Sequence, residues 1–287
     1  MSGEPTWSCP PVRDAGLVAD APNFPQALNL RTASNAGEAV FGLNVLDRLI
    51  EDLKLAAHAQ RTDRAWGPGV LGCAMWMDDP ELIDVLAQMA NACVVVTKQP
   101  RRRYDDARTD ALKALASSTG LAQQAYHELS ELAPLVGGSP VVVGPWHRAW
   151  DDNEIGAVRE VGFRKVGNRL VPIVHAKIML LGQMYWTDEH PSGHVMDVIG
   201  FRPQRLWIGS ANFTKSSRAS LEMGMWTTDP GMLAAARQWL LSLVAISEPL
   251  GTGSDSMQPE FVPVEYDHDA MVDYMREVAA YSDWDED

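Results

Sequence analysis

Residues 170–181, LVPIVHAKIMLL, set a histidine and a lysine two positions apart inside an otherwise apolar run. Side chains on a strand alternate between faces, so His175 and Lys177 share a face with Val171, Ile173, Met179 and Leu181. The other face, Pro172, Val174, Ala176, Ile178 and Leu180, is apolar as well. A run apolar on both faces predicts a strand covered on both sides, within an α/β sheet flanked by helices. An imidazole and an ammonium are then expected in the middle of a buried strand. Desolvating an unpaired ammonium is costly, so an anion should meet Lys177 there.

A second stretch supplies what the first lacks. Residues 205–208, RLWI, read as a short strand running out into Gly209, Ser210, Ala211, Asn212, Phe213 and Thr214. Gly209 lets backbone approach a ligand closely, and Ser210 and Asn212, again two apart, present a hydroxyl and an amide together. Ten residues after Asn212, Glu222 puts one carboxylate into the apolar stretch LEMGMW. Imidazole, ammonium, hydroxyl, amide and carboxylate are the parts needed to hold a phosphodiester and attack it.

His175-Ala176-Lys177, then Gly209-Ser210-Ala211-Asn212, then Glu222 resemble the signature of the phospholipase D superfamily. Residues 69–100, GVLGCAMWMDDPELIDVLAQMANACVVVTKQP, are similar to the opening strand, helix and strand of that superfamily, and the likeness spans roughly residues 69–247. His-x-Lys by itself arises by chance in many proteins; joined to Gly-Ser-x-Asn and this opening it is far more specific. One departure is plain: Gly182 stands five residues after the lysine, where the family usually has Asp. Single-motif nucleases of the superfamily often lack that Asp, which is not thought to touch phosphorus, so the departure points toward the nuclease branch. Residues 182–205 also separate the motif halves by more than is usual. The resemblance implies a phospholipase D-like mixed sheet with helices on both faces, placed at residues 65–250. Residues 1–64 are then an N-terminal arm and helix, and residues 251–287 a linker and acidic tail.

Composition constrains partners and compartment. With 46% apolar and 22% charged residues, the 287-residue chain reads as an ordinary globular protein with one sizeable core. No basic start followed by an apolar run opens the sequence, and no segment is long and apolar enough for a membrane span. Cys9, Cys73 and Cys93 are too few and too unevenly spaced for a disulfide framework. These features lead us to expect a cytoplasmic protein without a membrane partner. The net charge of −14 argues against a polyanionic partner, yet residues 98–218 carry 16 basic and 12 acidic residues, a mildly basic segment within an acidic chain. Arg101, Arg102 and Arg103 follow a predicted strand at residues 93–97, where they would face a site; a solvated loop explains them equally well. Trp146, His147, Arg148 and Trp150 interleave aromatic and basic side chains, suited to stacking on bases and holding phosphates, or to ordinary loop anchoring.

The remaining elements follow from local pattern. Residues 1–32, rich in proline, read as an irregular arm. Asn35 and Glu38 resemble a capping box opening a helix that ends near residue 60, with Leu46, Leu49, Ile50, Leu53 and Ala57 on its apolar face. That face is expected on the chain's own core rather than on a partner. Residues 69–77 and 93–97 read as parallel strands joined by a helix that Asp79 caps and Pro80 begins. Helical pattern continues over residues 105–132, interrupted at 117–120, and residues 140–143 read as a short central strand. A hairpin through Gly167 and Asn168 should join residues 155–163 to 169–181, with residues 183–201 forming a second excursion. Asp188, Glu189, His190 and His194 at its tip invite a metal reading that no spaced pair on a rigid element supports. Asp229 and Pro230 open a helix ending at residue 246. The acidic tail, residues 265–287, reads as solvated, with self-inhibition by docking on the basic segment as the sharper alternative.

Displacement at phosphorus needs a nucleophile on one side and a proton donor for the leaving oxygen on the other, which one imidazole does not supply in one step. No second His-x-Lys occurs in the chain. Family members with a single motif pair two chains, so the resemblance implies a homodimer with one composite site built from both copies of His175. It implies a phosphohistidine at one His175 and proton transfer by the other. Lys177 and Asn212 would stabilise the non-bridging oxygens, Ser210 would add a hydrogen bond, and Glu222 would orient the imidazole. Two histidines and two lysines then supply the charge, and neither a metal nor a cofactor is expected. The leading function is a metal-independent nuclease acting on DNA or RNA. A lipid phosphodiesterase and a catalytically silent binding module are the alternatives.

Overall fold

The computed structural model describes residues 30–34, 37–59, 65–98, 106–126, 128–132, 141–143, 154–162, 164–167, 169–189, 195–251, 264–267, 269–270 and 272–276. Strands β1 (Leu30–Ser34) and β2 (Gly37–Gly42) form an antiparallel pair, followed by helix α1 (Val45–Ala57). Strand β3 (Ala65–Ala74), helix α2 (Pro80–Leu86) and strand β4 (Asn91–Thr97) make the anticipated parallel unit. Helix α3 (Asp106–Ser118), β5 (Gly120–Ala122), α4 (Glu128–Leu132), β6 (Val141–Val143), β7 (Glu154–Gly156) and β8 (Val158–Val161) come next. The small hairpin β9 (Arg164–Val166) and β10 (Arg169–Val171) precedes two long strands, β11 (Ile178–Glu189) and β12 (Val195–Gly209). Strand β13 (Glu222–Thr227), helix α5 (Pro230–Ile246), β14 (Glu248–Pro249) and β15 (Val264–Tyr266) complete the described elements.

Nine strands share one mixed sheet in the order β1-β2-β13-β12-β11-β3-β4-β8-β14, with β3, β4 and β8 parallel and the other neighbours antiparallel. Both faces are covered, because alternate residues of the central strands are apolar in both directions. Val70, Ala74, Val94, Val96, Met179, Trp207 and Trp226 pack with α1, α2 and α3. Leu71, Cys73, Cys93, Val95, Leu180 and Leu206 pack with α5 and the segment around Tyr126. Trp207 and Trp226 meet edge to face, their centroids 5.3 Å apart. That contact is possible only because Gly224 lacks a side chain, as a Cβ there would lie 2.0 Å from the Trp207 ring.

Local capping behaves as its chemistry requires. Asp79 accepts from the Leu82 N–H at 3.0 Å and Asp229 from the Met232 N–H at 2.8 Å, each ahead of a proline that opens its helix. The apolar stripe of α1 lies in the chain's own core.

Several expectations are corrected. Glu38 is not in a helix: residues 37–42 form β2, and α1 begins only at Val45, after Asn44 in a left-handed conformation with φ 63°. Glu38 instead pairs with Arg31 and Arg48. Within the proposed irregular arm, residues 30–34 are β1; residues 1–29 lie outside the described part. The Val141–Val143 strand is not central but pairs in parallel with β15 in a separate two-stranded sheet. The hairpin through Gly167 has arms of three residues, and β8, assigned to it by pattern, lies beside β4 in the main sheet. Residues 183–189 and 195–201, taken for an excursion by pattern, are sheet strands, since β11 and β12 stay paired from Ile178↔Ile208 to Glu189↔Val195. Backbone pairing along two neighbouring strands overrode a local polarity that resembled a loop.

Candidate phosphodiester site

The His175 segment differs from the strand its pattern suggested. Ladder pairing of β11 begins at Ile178, so His175 and Lys177 sit in an extended stretch just before it. The difference decides exposure: the His175 side chain reaches solvent, whereas Lys177 is 6% exposed. Three strands hold this stretch in place. Thr97, the last residue of β4, accepts from the Val174 N–H at 3.0 Å and donates to the Val174 carbonyl at 3.1 Å. The Cys73 thiol lies 3.8 Å from the Ala176 carbonyl, and the Gly209 N–H donates to the Lys177 carbonyl at 3.0 Å.

Antiparallel pairing of β11 with β3 and β12, and of β12 with β13, brings the motif residues to one end of the sheet. Lys177 Nζ donates to the His175 carbonyl at 2.8 Å and lies 3.3 Å from His175 Nδ1, which leaves Nε2 as the ring nitrogen without a partner among the described residues. Burial holds the Lys177 ammonium below the ordinary lysine range, partly offset by the Glu222 charge. Across the row, Ser210 donates to Glu222 Oε2 at 2.5 Å and accepts from the Met223 N–H at 2.9 Å. Gly209 fits tightly, since a Cβ there would stand 3.0 Å from the Met223 carbonyl oxygen and the Trp207 ring nitrogen.

Asn212 carries an unspent hydrogen-bonding capacity. Its Oδ1 is buried without a partner, and its side chain makes no hydrogen bond among the described residues. A buried acceptor left so is costly unless a donor completes it. The expected contact between Glu222 and the imidazole is absent: the carboxylate is held by Ser210, and no carboxylate bonds to His175 among the described residues.

Gly182 explains the missing Asp of the resemblance. A Cβ at that position would lie 2.3 Å from the Arg202 carbonyl oxygen and 2.6 Å from the Phe201 ring, at a bulge between Leu181 and Gly182. The site has no room there for any side chain. Thr97, whose role emerges only from the sheet, is not legible as a site residue, since a threonine ending an apolar run carries no distinguishing signal. Arg101, Arg102, Arg103, Trp146, Arg148, His190 and His194 lie outside the described residues. Among the described residues no group of three or more His, Cys, Asp and Glu side chains is placed to hold a metal ion. No described helix is long and apolar enough to cross a membrane.

No family model and no curated protein matches the chain. Among solved structures, the polyphosphate kinase of Porphyromonas gingivalis aligns over 84% of this chain at 14% identity and a TM-score of 0.43, the chain spanning 30% of that enzyme. Nuc of Salmonella typhimurium, a phospholipase D family member, aligns over 70% of this chain and 88% of its own at 12% identity and a TM-score of 0.36. NucT of Helicobacter pylori aligns over 74% of this chain and 98% of its own at 10% identity and a TM-score of 0.37.

Proposed function

We propose that the chain is a metal-independent phosphodiesterase, acting on nucleic acid as a homodimer with one composite site. The observation that carries this reading is the convergence at one sheet end of an outward-facing imidazole, a buried ammonium 3.3 Å from it and an unpartnered amide. A phosphodiester fits this set: its anionic oxygens can face the ammonium and the Asn212 Nδ2, and its phosphorus the imidazole. Phosphate oxygens would accept from Lys177 and from the Asn212 amide, in a setting where buried donors act strongly on developing charge.

In the free site Lys177 Nζ lies 3.3 Å from Nδ1, so Nε2 is the ring nitrogen left to meet substrate. Substrate would draw Lys177 onto a phosphoryl oxygen. Nδ1 then carries the ring proton and Nε2 has a lone pair for phosphorus. Attack forms the N–P bond as the P–O bond to the leaving group breaks, and the imidazolium form of His175 of the partner subunit gives its Nε2 proton to the leaving oxygen and becomes neutral. That second ring, now a base, takes a proton from water as the water oxygen displaces Nε2 from phosphorus.

Incubation with single-stranded DNA, duplex DNA, RNA and a chromogenic phosphodiester in EDTA, beside His175→Ala, tests the reading. Cleavage in EDTA by the wild type alone, with an acid-labile phosphoprotein trapped on rapid quenching and a dimeric mass in solution, is the expected result. Cleavage that EDTA abolishes overturns the two-histidine chemistry. Binding without turnover by either protein makes the chain a silent module, and lipid turnover with inert nucleic acid transfers the chemistry to a lipid headgroup.

A further inference from the structure

We propose that Trp76 is a stacking platform for a base next to the reacting phosphate, so that the site takes single-stranded nucleic acid. The inference rests on the phosphodiesterase reading and names its substrate. Trp76 is 42% exposed, whereas Trp207 and Trp226 on the same sheet are 1% exposed. Its backbone is fixed, because the Phe213 N–H donates to the Trp76 carbonyl at 3.1 Å and Met77 bridges Phe213. Trp76 is therefore tied to the residue that follows Asn212.

The sheet register brings it toward the site. Ile178 and Cys73 form the last rung of the β11–β3 ladder, so His175 lies three residues beyond that rung on one chain and Trp76 three residues beyond it on the other. Neighbouring strands stand about 5 Å apart, so the two chains leave the ladder side by side at about that spacing. A phosphate held at Lys177 and Asn212 carries its base within reach of that ring. In a duplex both faces of the base are occupied by its neighbours, whereas a single strand offers a free face to an exposed aromatic ring.

The test compares a single-stranded oligonucleotide with the same strand carrying abasic residues around the cleaved position, using wild type, Trp76→Phe and Trp76→Ala. The ratio of kcat/KM for base-bearing over abasic strand is expected to fall at least about fivefold in Trp76→Ala and to be largely kept in Trp76→Phe. Fluorescence anisotropy of both strands with the uncleaving His175→Ala, alone and combined with Trp76→Ala, reads the same preference without turnover. A preference unaltered in Trp76→Ala, or a dimer mass lost with the indole, overturns the proposal and in the second case makes Trp76 a subunit contact. If no strand is cut yet the binding preference depends on Trp76, the platform stands and the hydrolytic reading falls.

Discussion

Two charged clusters lie where β3 ends, and they are built on opposite rules. In one, Arg218 donates to Asp79 at 2.6 and 2.8 Å, to Glu81 at 2.7 Å and also to Asp47, so every charge has a partner. Those hydrogen bonds push the guanidinium above its ordinary range. In the other, burial pushes the Lys177 ammonium below its range, its hydrogen bonds go to a carbonyl and an imidazole, and Asn212 makes none among the described residues. The first arrangement is complete and holds α1, α2 and the segment after Asn212 together. The second lacks, among the described residues, a carboxylate hydrogen-bonded to its ammonium, which is what the proposed anion site requires. Paired charge in this chain is architecture, and the less completely paired charge is where the proposed chemistry is placed.

Five experiments would break or sharpen that contrast. The largest effect is expected from His175→Ala, which should lower kcat/KM by about 10³-fold or more and leave the thermal midpoint unchanged, since the ring is exposed and contacts little. Arg218→Ala should do the reverse, costing about 2–4 kcal/mol in chemical denaturation because fully buried Asp79 loses its partner, with kcat per folded molecule retained. Gly182→Asp, restoring the family's carboxylate, should lose about 2 kcal/mol and gain no activity, since its Cβ would overlap Arg202 and Phe201. The smallest effects come from titration. Burial acts to raise the Asp79 pKa, but the Arg218 and backbone hydrogen bonds outweigh it and hold it below the ordinary 3.8. A lowered carboxylate pKa stabilises the fold above the unfolded value and loses that contribution as pH falls through the folded one. Wild type should therefore lose stability below about pH 4 more steeply than Arg218→Ala. Lys177 has the opposite sign: its charged form is disfavoured in the fold, so Lys177→Met should melt no lower than wild type at neutral pH while losing activity.

Much of the site was legible because its chemistry is carried by residue types at fixed spacing. His175, Lys177, Ser210, Asn212 and Glu222 were named from the sequence, and the sheet brings the segments that bear them to one end. Their contacts were not legible. Glu222 was expected on the imidazole and is held by Ser210, because which acceptor a hydroxyl reaches depends on the stagger of β12 against β13. Cys73 and Cys93 are buried in the core, and burial pushes both thiols up to about 12.

What the sequence determined by itself was whatever depends on near neighbours: the two proline-led helix caps, the alternation that buries both sheet faces, and the set of chemical groups. Only the tertiary structure decided that residues 182–189 and 195–205 are paired strands, that His175 precedes its strand and so reaches solvent, and that Gly182 has no room for a carboxylate. Each of these depends on atoms far along the chain: the β11–β12 ladder, the Thr97 clasp on Val174, and the Arg202 carbonyl across the bulge. Local pattern is blind to such contacts, because a residue's neighbours in sequence do not fix which backbone will lie beside it.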